Sequence, residues 1–311
     1  MRKTGMFLSL LGGFLIVLGL MATFYAPARL MKTPLDTDST TRLSGRAQLQ
    51  AAAGLEKFPV KAVSITRADT KKSDGNVIVF VNSSCLVRDE GNPPNCVGND
   101  DPAKRLISAG VDTFATNRKT AMAVNDPKYL PAEAGKHEGL INKWPFQSKK
   151  QTYPYWDDLT GSTHDAKYSG TTKLDGLTVY KYDVTIQSAP IQIAQGVPGT
   201  YNDQKTIYIE PLTGAIMHQV DKQSRLTDAG APVLDLSLSF TSQQVAKNVK
   251  DAKANVSQLN LVRKVIPLVG LIGGVLALAA GLVLSRRGHD SSHVARDDAD
   301  LDRGSVSLKK A

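Results

Sequence analysis

Residues 177–186 carry the clearest strand pattern in the chain, and they read Leu-Thr-Val-Tyr-Lys-Tyr-Asp-Val-Thr-Ile. Alternate side chains of a β-strand point to opposite faces of the sheet. One face of this segment would carry Tyr180, Tyr182, Val184 and Ile186, and the other would carry Val179, Lys181, Asp183 and Thr185. The segment therefore predicts a long strand with one apolar face and one mixed face.

Further segments show the same kind of signal on both sides of this strand. Residues 62–66 alternate, and residues 233–240 place Leu and Phe at every second position with Asp and Ser between them. Residues 206–210 and 215–220 flank Pro211-Leu212-Thr213-Gly214, whose Pro and Gly suit a turn. This arrangement predicts a β-hairpin.

Two other segments complete the predicted fold. Residues 76–81 form a continuous apolar run, which is typical of a strand buried on both faces. Residues 241–261 place Val245, Val249, Val256 and Leu259 at helical spacing. The sequence thus predicts a β-rich α+β fold, with an antiparallel curved sheet or elongated β-barrel backed by long helices, between two transmembrane helices.

Two uncharged runs of 20 residues, 6–25 and 265–284, are long enough to span a bilayer as helices. They divide the chain into a cytoplasmic leader (1–5), a first span, a β-rich domain (26–264), a second span and a cytoplasmic polar tail (285–311). Since positive charge favours the cytoplasmic side, Arg2 and Lys3 predict a two-pass cell-membrane protein whose large domain is extracytoplasmic, in the periplasm. The small residues near 25–28 leave a cleaved signal peptide as the alternative.

The chain contains two cysteines, Cys85 and Cys96, separated by a turn-rich loop. An isolated pair of this kind in an oxidising compartment predicts one disulfide. Two free structural thiols are the alternative, and no histidine lies nearby in sequence to complete a metal site with them.

The charge and motif content exclude several classes of function. The formal charge is +9, but no dense Lys/Arg block with interleaved aromatic residues is present, so no nucleic-acid partner is expected. The nucleotide-binding, hydrolase and zinc-protease motifs are missing from the sequence. The histidines are scattered, so we expect no metal, no cofactor and no enzymatic activity.

The strongest candidate binding residues lie in one aromatic segment that ends in two acids. Trp144 opens the segment, and Tyr153, Tyr155, Trp156 and Asp157 follow. These residues are candidates for ligand binding or sugar stacking, and a structural aromatic cluster is the competing interpretation. A role for Asp157 or its neighbour Asp158 as a catalytic acid would need a second group from elsewhere in the chain.

Four short motifs within this layout carry a resemblance to a known family. They are PLDTDSTT at 34–41, NRKT at 117–120, WPF at 144–146 and KQTYPYWD at 150–157. Together with the two apolar runs, they resemble an actinobacterial family of unknown function whose members are often called porin PorA family proteins. The resemblance implies an outer domain built as an elongated β-barrel with long helices and an apolar cavity.

The resemblance also implies a function, because the family includes a factor that matures lipomannan and lipoarabinomannan. The chain would then be an envelope factor that binds or transfers a membrane lipid or lipid-linked glycan, with envelope glycosyltransferases as possible partners. The alternative is a structural or regulatory protein that scaffolds envelope enzymes. Small residues of the second span would form its contact face: Gly270, Gly273, Gly274, Ala277 and Gly281. A glycan-acting enzyme and a pore are further alternatives, and a pore formed by strands fits poorly with two apolar helices.

Overall fold

The computed structural model describes residues 2–51 and 54–297. It divides into two compact units, Met31–Val256 and Met1–Leu30 together with Ser257–Ala311. The first unit holds every strand found in the described residues, and the second holds the apolar helices.

The unit Met31–Val256 contains one antiparallel sheet of ten strands that curls into a half-barrel. The strands are β1 (Asp38–Ala51), β2 (Gly54–Asp69), β3 (Val77–Arg88), β4 (Leu106–Asn117), β5 (Tyr153–Asp157), β6 (Ser162–Leu174), β7 (Leu177–Ala194), β8 (Val197–Ile209), β9 (Ile216–Thr227) and β10 (Pro232–Phe240). Their order across the sheet is β4-β3-β2-β1-β10-β9-β8-β7-β6-β5. The predicted antiparallel, β-rich fold is confirmed.

The chain enters and leaves this sheet at its centre, because β1 pairs with β10 from Leu43–Phe240 to Leu49–Leu234. The two edges of the sheet, β4 and β5, are therefore internal segments of the chain. Three isolated bridges link those edges, Thr116 to Ala123, Met122 to Leu140 and Leu140 to Tyr155. These bridges run from Thr116 of β4 to Tyr155 of β5 through the segment between the two strands, and we call this line of contacts the seam.

The apolar run predicted at 76–81 is confirmed as a strand buried on both faces over Val77–Phe80 of β3, whereas Asn76 and Val81 at its ends are exposed. Val77 and Val79 pack with Ala115 and Tyr129 on one face. Ile78 and Phe80 pack with Phe114 on the other face. The unbroken hydrophobicity of this segment therefore reflects a strand between two packed layers.

The strand that begins at residue 177 is longer than its sequence pattern predicts. It continues to Ala194, and its register with β8 shifts between Ile186 and Ala189. Ser188 has a φ of 49° at this shift, which marks a β-bulge. Because the extra residue reverses the alternation of side chains, the period-2 signal is lost in the second half of the strand.

The helix predicted at 241–261 is confirmed as α3, which we number after the two N-terminal helices, α1 (Arg2–Phe24) and α2 (Ala26–Leu30). It runs from Ser242 to Asn260, and Val249 and Ala252 are buried. Ala252 packs with Val179 and Met217 of the sheet. The apolar face of α3 thus covers part of the half-barrel.

The second unit contains α1 and α4 (Ile266–Asp297), and a π-helical turn at Leu261–Val265 precedes α4. Lys3–Phe24 and Ser242–Arg286 are long and apolar enough to cross a membrane. The second span was predicted to end at residue 284, but helix α4 continues to Asp297. The part of the predicted polar tail at 298–311 lies outside the described residues.

Glycines of α4 lie directly against α1. A Cβ added to Gly274 would lie 2.8 Å from the carbonyl oxygen of Gly12, and one added to Gly281 would lie 2.7 Å from that of Gly5. Small residues at helical spacing permit such close helix packing. Most of the predicted small-residue face is therefore occupied by the chain's own first helix, although Gly273 faces open space.

The predicted disulfide is confirmed, and it joins Cys85 of β3 to Cys96 in the loop before β4. The two Cα atoms lie 5.7 Å apart. The bond ties this loop back to the sheet, which restricts the loop's conformational freedom.

Candidate ligand cavity and buried charged cluster

The concave side of the half-barrel encloses a cavity of about 850 Å³. Strands β1, β2 and β3 form one wall with Thr41, Ser64, Thr66 and Asn82. The hydroxyl groups of Ser64 and Thr66 both donate hydrogen bonds to Oδ1 of Asn82, at 2.7 and 2.9 Å. This wall therefore offers hydroxyl and amide groups, which are suited to hydrogen bonding with a polar ligand.

Apolar side chains line other parts of the same cavity. Phe80 and Phe114 contribute rings whose centroids lie 5.5 Å apart. Ile141, Ile216 and Phe240 also line it. The cavity is thus mixed in character, which corrects the apolar cavity implied by the resemblance.

Helix α3 supplies a polar boundary through Gln244, Asn248 and Asp251. Gln244 accepts a hydrogen bond from the backbone N–H of Arg42 at 3.1 Å. Asn248 donates one to the carbonyl of Ile216 at 3.2 Å. These bonds hold amide side chains in fixed positions at the edge of the cavity.

A lysine also lines the cavity. The Lys143 ammonium donates to the carbonyl of Thr213 and lies 3.6 Å from the centroid of the Phe146 ring. Burial lowers the pKa of Lys143 to about 7, although the Glu210 carboxylate opposes this shift. Among the described residues, no carboxylate is within ion-pair distance of Lys143. The cavity therefore contains an amine without a close counter-ion in the described chain, and its pKa of about 7 leaves it only partly protonated at neutral pH.

A second polar feature, the buried charged cluster, consists of Lys205, Asp203, Asp221 and Asp157 on the concave face. Lys205 Nζ lies 3.2 Å from Asp203, 3.3 Å from Asp221 and 3.8 Å from Asp157. All four residues are at most 7% exposed. One ammonium thus lies among three buried carboxylates, so the cluster carries an excess of negative charge when all four groups are ionised.

The cluster changes the pKa values of its members. Burial by itself lowers the pKa of Lys205, but the Asp221 and Asp203 carboxylates outweigh burial and raise that pKa well above its usual value. Burial raises the pKa of Asp203 to about 7, with Lys205 opposing and the negative charge of Asp221 reinforcing the shift. Tyr155 lies between this cluster and the cavity, and burial raises its pKa to about 12.

The raised pKa of Asp203 makes stability depend on pH. A carboxyl group whose pKa is higher in the folded state stabilises the fold fully below its unfolded value near 3.8, and this contribution is lost as the pH rises through about 7. We expect the wild-type chain to lose on the order of 2–4 kcal/mol more of its free energy of unfolding than Asp203→Asn between pH 4 and pH 8. Urea unfolding followed by tryptophan fluorescence measures this difference, because both tryptophans lie in Met31–Val256.

Asp235→Asn is the matched control for this measurement, since Asp235 is exposed on β10. It should retain the wild-type dependence on pH. Equal slopes for wild type and Asp203→Asn would show that Asp203 ionises normally in the folded protein.

The structure distributes the predicted site residues between the core and the cavity edge. Trp144 is completely buried, and Tyr153 and Tyr155 are each 8% exposed. The Trp144 ring packs against Tyr155 and Tyr182, at centroid distances of 5.4 and 5.3 Å. Among these three residues, Tyr155 lines the cavity.

The other two predicted residues have different surroundings. Trp156 is half-buried, and its indole N–H donates to Asp158 at 2.7 Å. Asp157 is buried, accepts backbone hydrogen bonds from Leu159 and Thr160, and belongs to the charged cluster. The ligand-binding role of the five residues stays a prediction.

Sequence reasoning missed Asp112 and His137, and it considered Asp158 only as a catalytic acid; the three residues meet at the seam. Their oxygen and nitrogen atoms lie within 4.8 Å of one another. The segments that carry them are far apart in the sequence and share no spacing pattern, so no local signal predicts their meeting. Partial desolvation by neighbouring side chains raises the pKa of Asp158 although the residue is exposed, and the Trp156 N–H opposes the shift.

Comparisons with known proteins identify relatives at the level of sequence. A protein called Porin PorA from Corynebacterium amycolatum is 29% identical over 222 residues, which cover 60% of this chain and 57% of the relative. Another Porin PorA, from Corynebacterium resistens, is 24% identical over 174 residues, which cover 49% of this chain and 39% of that relative. The chain therefore matches only about half the length of these curated relatives.

Solved structures show only distant likeness. A DUF1329 family protein from Desulfovibrio piger is 10% identical with a TM-score of 0.17, and the match covers 75% of this chain and 91% of that one. A domain from Vibrio parahaemolyticus, described as an outer membrane lipoprotein-sorting protein, is 9% identical with a TM-score of 0.16, covering 71% and 94% of the two chains. Neither likeness is close enough to support an argument about function.

The family resemblance suggested by the short motifs is tested directly by the family model. The model described as Porin PorA matches residues 4–283, which include the sheet and most of both candidate membrane spans. The chain belongs to the Porin PorA family.

Proposed function

We propose that this chain is a membrane-anchored factor that binds a lipid or lipid-linked glycan in its half-barrel cavity during assembly of envelope lipoglycans. The observation that carries the proposal is the cavity of about 850 Å³ with both apolar and hydrogen-bonding walls. Cavities of about 300–1,000 Å³ are typical of small-molecule sites. A ligand with an acyl or prenyl portion and a sugar head group matches this mixed lining better than a purely apolar or a purely polar molecule.

The position of Lys143 supports a ligand whose head group carries negative charge. Its ammonium lies in the cavity wall and has a neutral carbonyl as its hydrogen-bond acceptor. A phosphate group would favour the protonated form of this amine and give it a charged partner, and charge-assisted hydrogen bonds are stronger than neutral ones. We therefore favour a phosphate-containing lipid or lipid-linked sugar.

Binding rather than catalysis is the proposed activity. The buried carboxylates of Asp203 and Asp221 both lie within 3.3 Å of Lys205, so their ion-pair contacts are made inside the protein. Such pairing suits a structural role, whereas a general acid or base must reach the reacting atom. Glycosyltransferases that use the bound molecule are the proposed protein partners.

The proposed location of Met31–Val256 is outside the cytoplasm. Arg2 and Lys3 precede the first apolar helix, and positive residues favour the cytoplasmic side. The disulfide between Cys85 and Cys96 suits an oxidising compartment. A sugar head group in the periplasm would then be accessible to the half-barrel.

Replacing Thr66 with Trp tests the cavity as the ligand site. The larger side chain would occupy cavity space, so we expect at least a tenfold loss of affinity for a phosphate-containing lipid-linked mannose. The measurement uses full-length protein in detergent, with titration of the lipid followed by native mass spectrometry. Arg67→Trp is the matched control, because Arg67 is the next residue of β2 and its side chain is 68% exposed.

The control should bind with wild-type affinity, and both variants should retain the wild-type unfolding midpoint. Equal affinities for Thr66→Trp and Arg67→Trp would contradict binding in this cavity. Failure of the wild-type chain to bind or copurify with any lipid would contradict the proposed function as a whole.

A pore is the second candidate function, because the curated relatives carry the name porin. A transmembrane barrel needs an apolar outer belt. In β1 and β2, however, the face opposite Ala47 and Phe58 carries exposed Arg46 and Lys57. Conductance across planar bilayers by the purified chain would favour the pore over the binding function.

A further inference from the structure

The seam brings together side chains from three separate segments of the half-barrel. Asp112 belongs to edge strand β4, Asp158 directly follows edge strand β5, and His137 lies in the segment between these strands. One ligand atom from each lies within 4.8 Å of the other two. Among the described residues, this is the one group of three or more His, Cys, Asp and Glu side chains that meets this spacing.

His137 is held in place by its neighbours and is only 5% exposed. Asn125 accepts a hydrogen bond from its backbone N–H at 3.1 Å and donates one to its carbonyl at 2.7 Å. Phe114 and Trp156 contact its ring, at centroid distances of 5.7 and 5.0 Å. The orientation of the imidazole is therefore fixed by both backbone and ring contacts.

The hydrogen bond at Nδ1 of His137 determines whether Nε2 carries a hydrogen or a lone pair. Nδ1 lies 3.0 Å from the carbonyl oxygen of Gly135, and because a carbonyl can only accept, Nδ1 must carry the hydrogen. In the neutral ring, Nε2 then presents a lone pair to the Asp112 carboxylate at 2.9 Å. Two acceptors at this distance repel unless a proton lies between them or a metal ion binds both from one side, because metal–ligand bonds of about 2.0–2.2 Å leave no room for an ion on the line that joins them.

A metal ion fits the three donor side chains and the hydrogen bonds that orient His137 and Asp158. A histidine that binds a metal commonly donates its other ring N–H to a carbonyl or carboxylate, as His137 does to Gly135. Asp158 is also oriented, by the hydrogen bond from the Trp156 indole. One imidazole nitrogen with two carboxylates suits zinc or another transition metal, whereas calcium and magnesium prefer oxygen ligands alone.

We propose that Asp112, His137 and Asp158 form a divalent transition-metal site that joins the two edges of the half-barrel. The site is separate from the buried charged cluster, and it does not depend on the proposed lipid ligand. Asp112 and Asp158 also line the cavity, so the ion would be reached from cavity water, which would fill its remaining coordination positions. An ion here would hold β4 and β5 together at the place where isolated β-bridges provide the backbone connection between these two edge strands.

Zinc binding to the full-length chain in detergent tests this proposal. The protein is treated with EDTA, dialysed and titrated with zinc chloride by isothermal calorimetry, and its metal content is counted by elemental mass spectrometry. We expect one zinc per chain and a rise in the unfolding midpoint of roughly 5–10 °C at a hundredfold excess over Kd. Magnesium and calcium should bind at least tenfold more weakly.

Substitutions assign the site to these residues. His137→Ala and Asp112→Asn should each weaken zinc binding at least tenfold and remove the thermal shift. Asp112→Asn keeps the shape of a half-buried side chain, so it remains informative if His137→Ala does not fold. His164→Ala is the matched control, because His164 hydrogen-bonds to the hydroxyl of Thr160 and is not part of the proposed site.

Two results would overturn the proposal. Absence of stoichiometric zinc at 0.1 mM free metal, on the order of a weak biological site, would identify the His137–Asp112 contact as an ion pair with a protonated ring. Unchanged zinc affinity in both His137→Ala and Asp112→Asn would place any bound metal elsewhere. Both measurements are made without added lipid, so a negative result would contradict the metal site and leave the proposed lipid binding untouched.

Discussion

Lys205→Met is expected to lower the free energy of unfolding of Met31–Val256 by about 3–5 kcal/mol. Lys205 is 7% exposed and lies within 3.3 Å of both Asp203 and Asp221, so its removal leaves buried carboxylates without their cation. Uncompensated buried charge is among the most costly defects that a single substitution creates. Urea unfolding in detergent, followed by tryptophan fluorescence, measures the loss.

The control is Lys222→Met, because Lys222 is exposed on neighbouring strand β9. It should change the unfolding free energy by no more than about 0.5 kcal/mol. Adding Asp203→Asn and Asp221→Asn to Lys205→Met should recover a large part of the loss, since the unpaired charges are then removed. A loss below about 1 kcal/mol for Lys205→Met would mean that the cluster is hydrated or its carboxyl groups are already neutral.

Trp144→Ala is the second substitution with a large expected effect, a loss of about 3–5 kcal/mol. The ring is completely buried and contacts the rings of Tyr155 and Tyr182. Its removal would leave a cavity in the aromatic core, because the surrounding sheet can relax only partly. Thermal and urea unfolding, followed through Trp156 fluorescence and circular dichroism, provide the measurement.

The chain's other tryptophan is the matched control. Trp156 is half-buried beside His137, so Trp156→Ala should cost less than half as much stability. If Trp144→Ala instead kept its stability and lost affinity for a glycan ligand, Trp144 would act as a sugar-stacking residue rather than as core.

Features whose signals are local were predicted from the sequence. The strand at 76–81, the hairpin of β8 and β9 and helix α3 each follow from a short pattern of apolar residues and turn formers. The disulfide follows from the presence of only two cysteines in a domain expected to be outside the cytoplasm. These features needed no knowledge of the tertiary fold.

Strands with weak patterns were not predicted. β6 (Ser162–Leu174) alternates poorly because much of it is exposed, with Ala166 as its one fully buried position. β4 (Leu106–Asn117) has exposed residues at 108–111, and only Phe114, Ala115 and Thr116 are buried. Pairing with a neighbouring strand, rather than local hydrophobicity, defines such segments.

The candidate sites also differ in whether the local sequence indicates them. The charged cluster left a readable signal, because Asp203 and Lys205 occupy the same face of β8 as the buried residues Tyr201, Ile207 and Ile209. A charged residue at a core-facing position indicates a buried partner. The meeting of Asp112, His137 and Asp158 left no such signal, since it depends on how the two edges of the sheet approach each other.

The pairing of β1 with β10 has a mechanical consequence for Met31–Val256. The start of β1 and the end of β10 lie at the same end of this antiparallel pair, because Leu43 is opposite Phe240. A force that pulls residues 38 and 240 apart would therefore break the backbone hydrogen bonds between β1 and β10 one pair after another, starting at that end. The sheet would split at its middle into β1–β4 and β5–β10, and the seam would still connect the two parts on the opposite side.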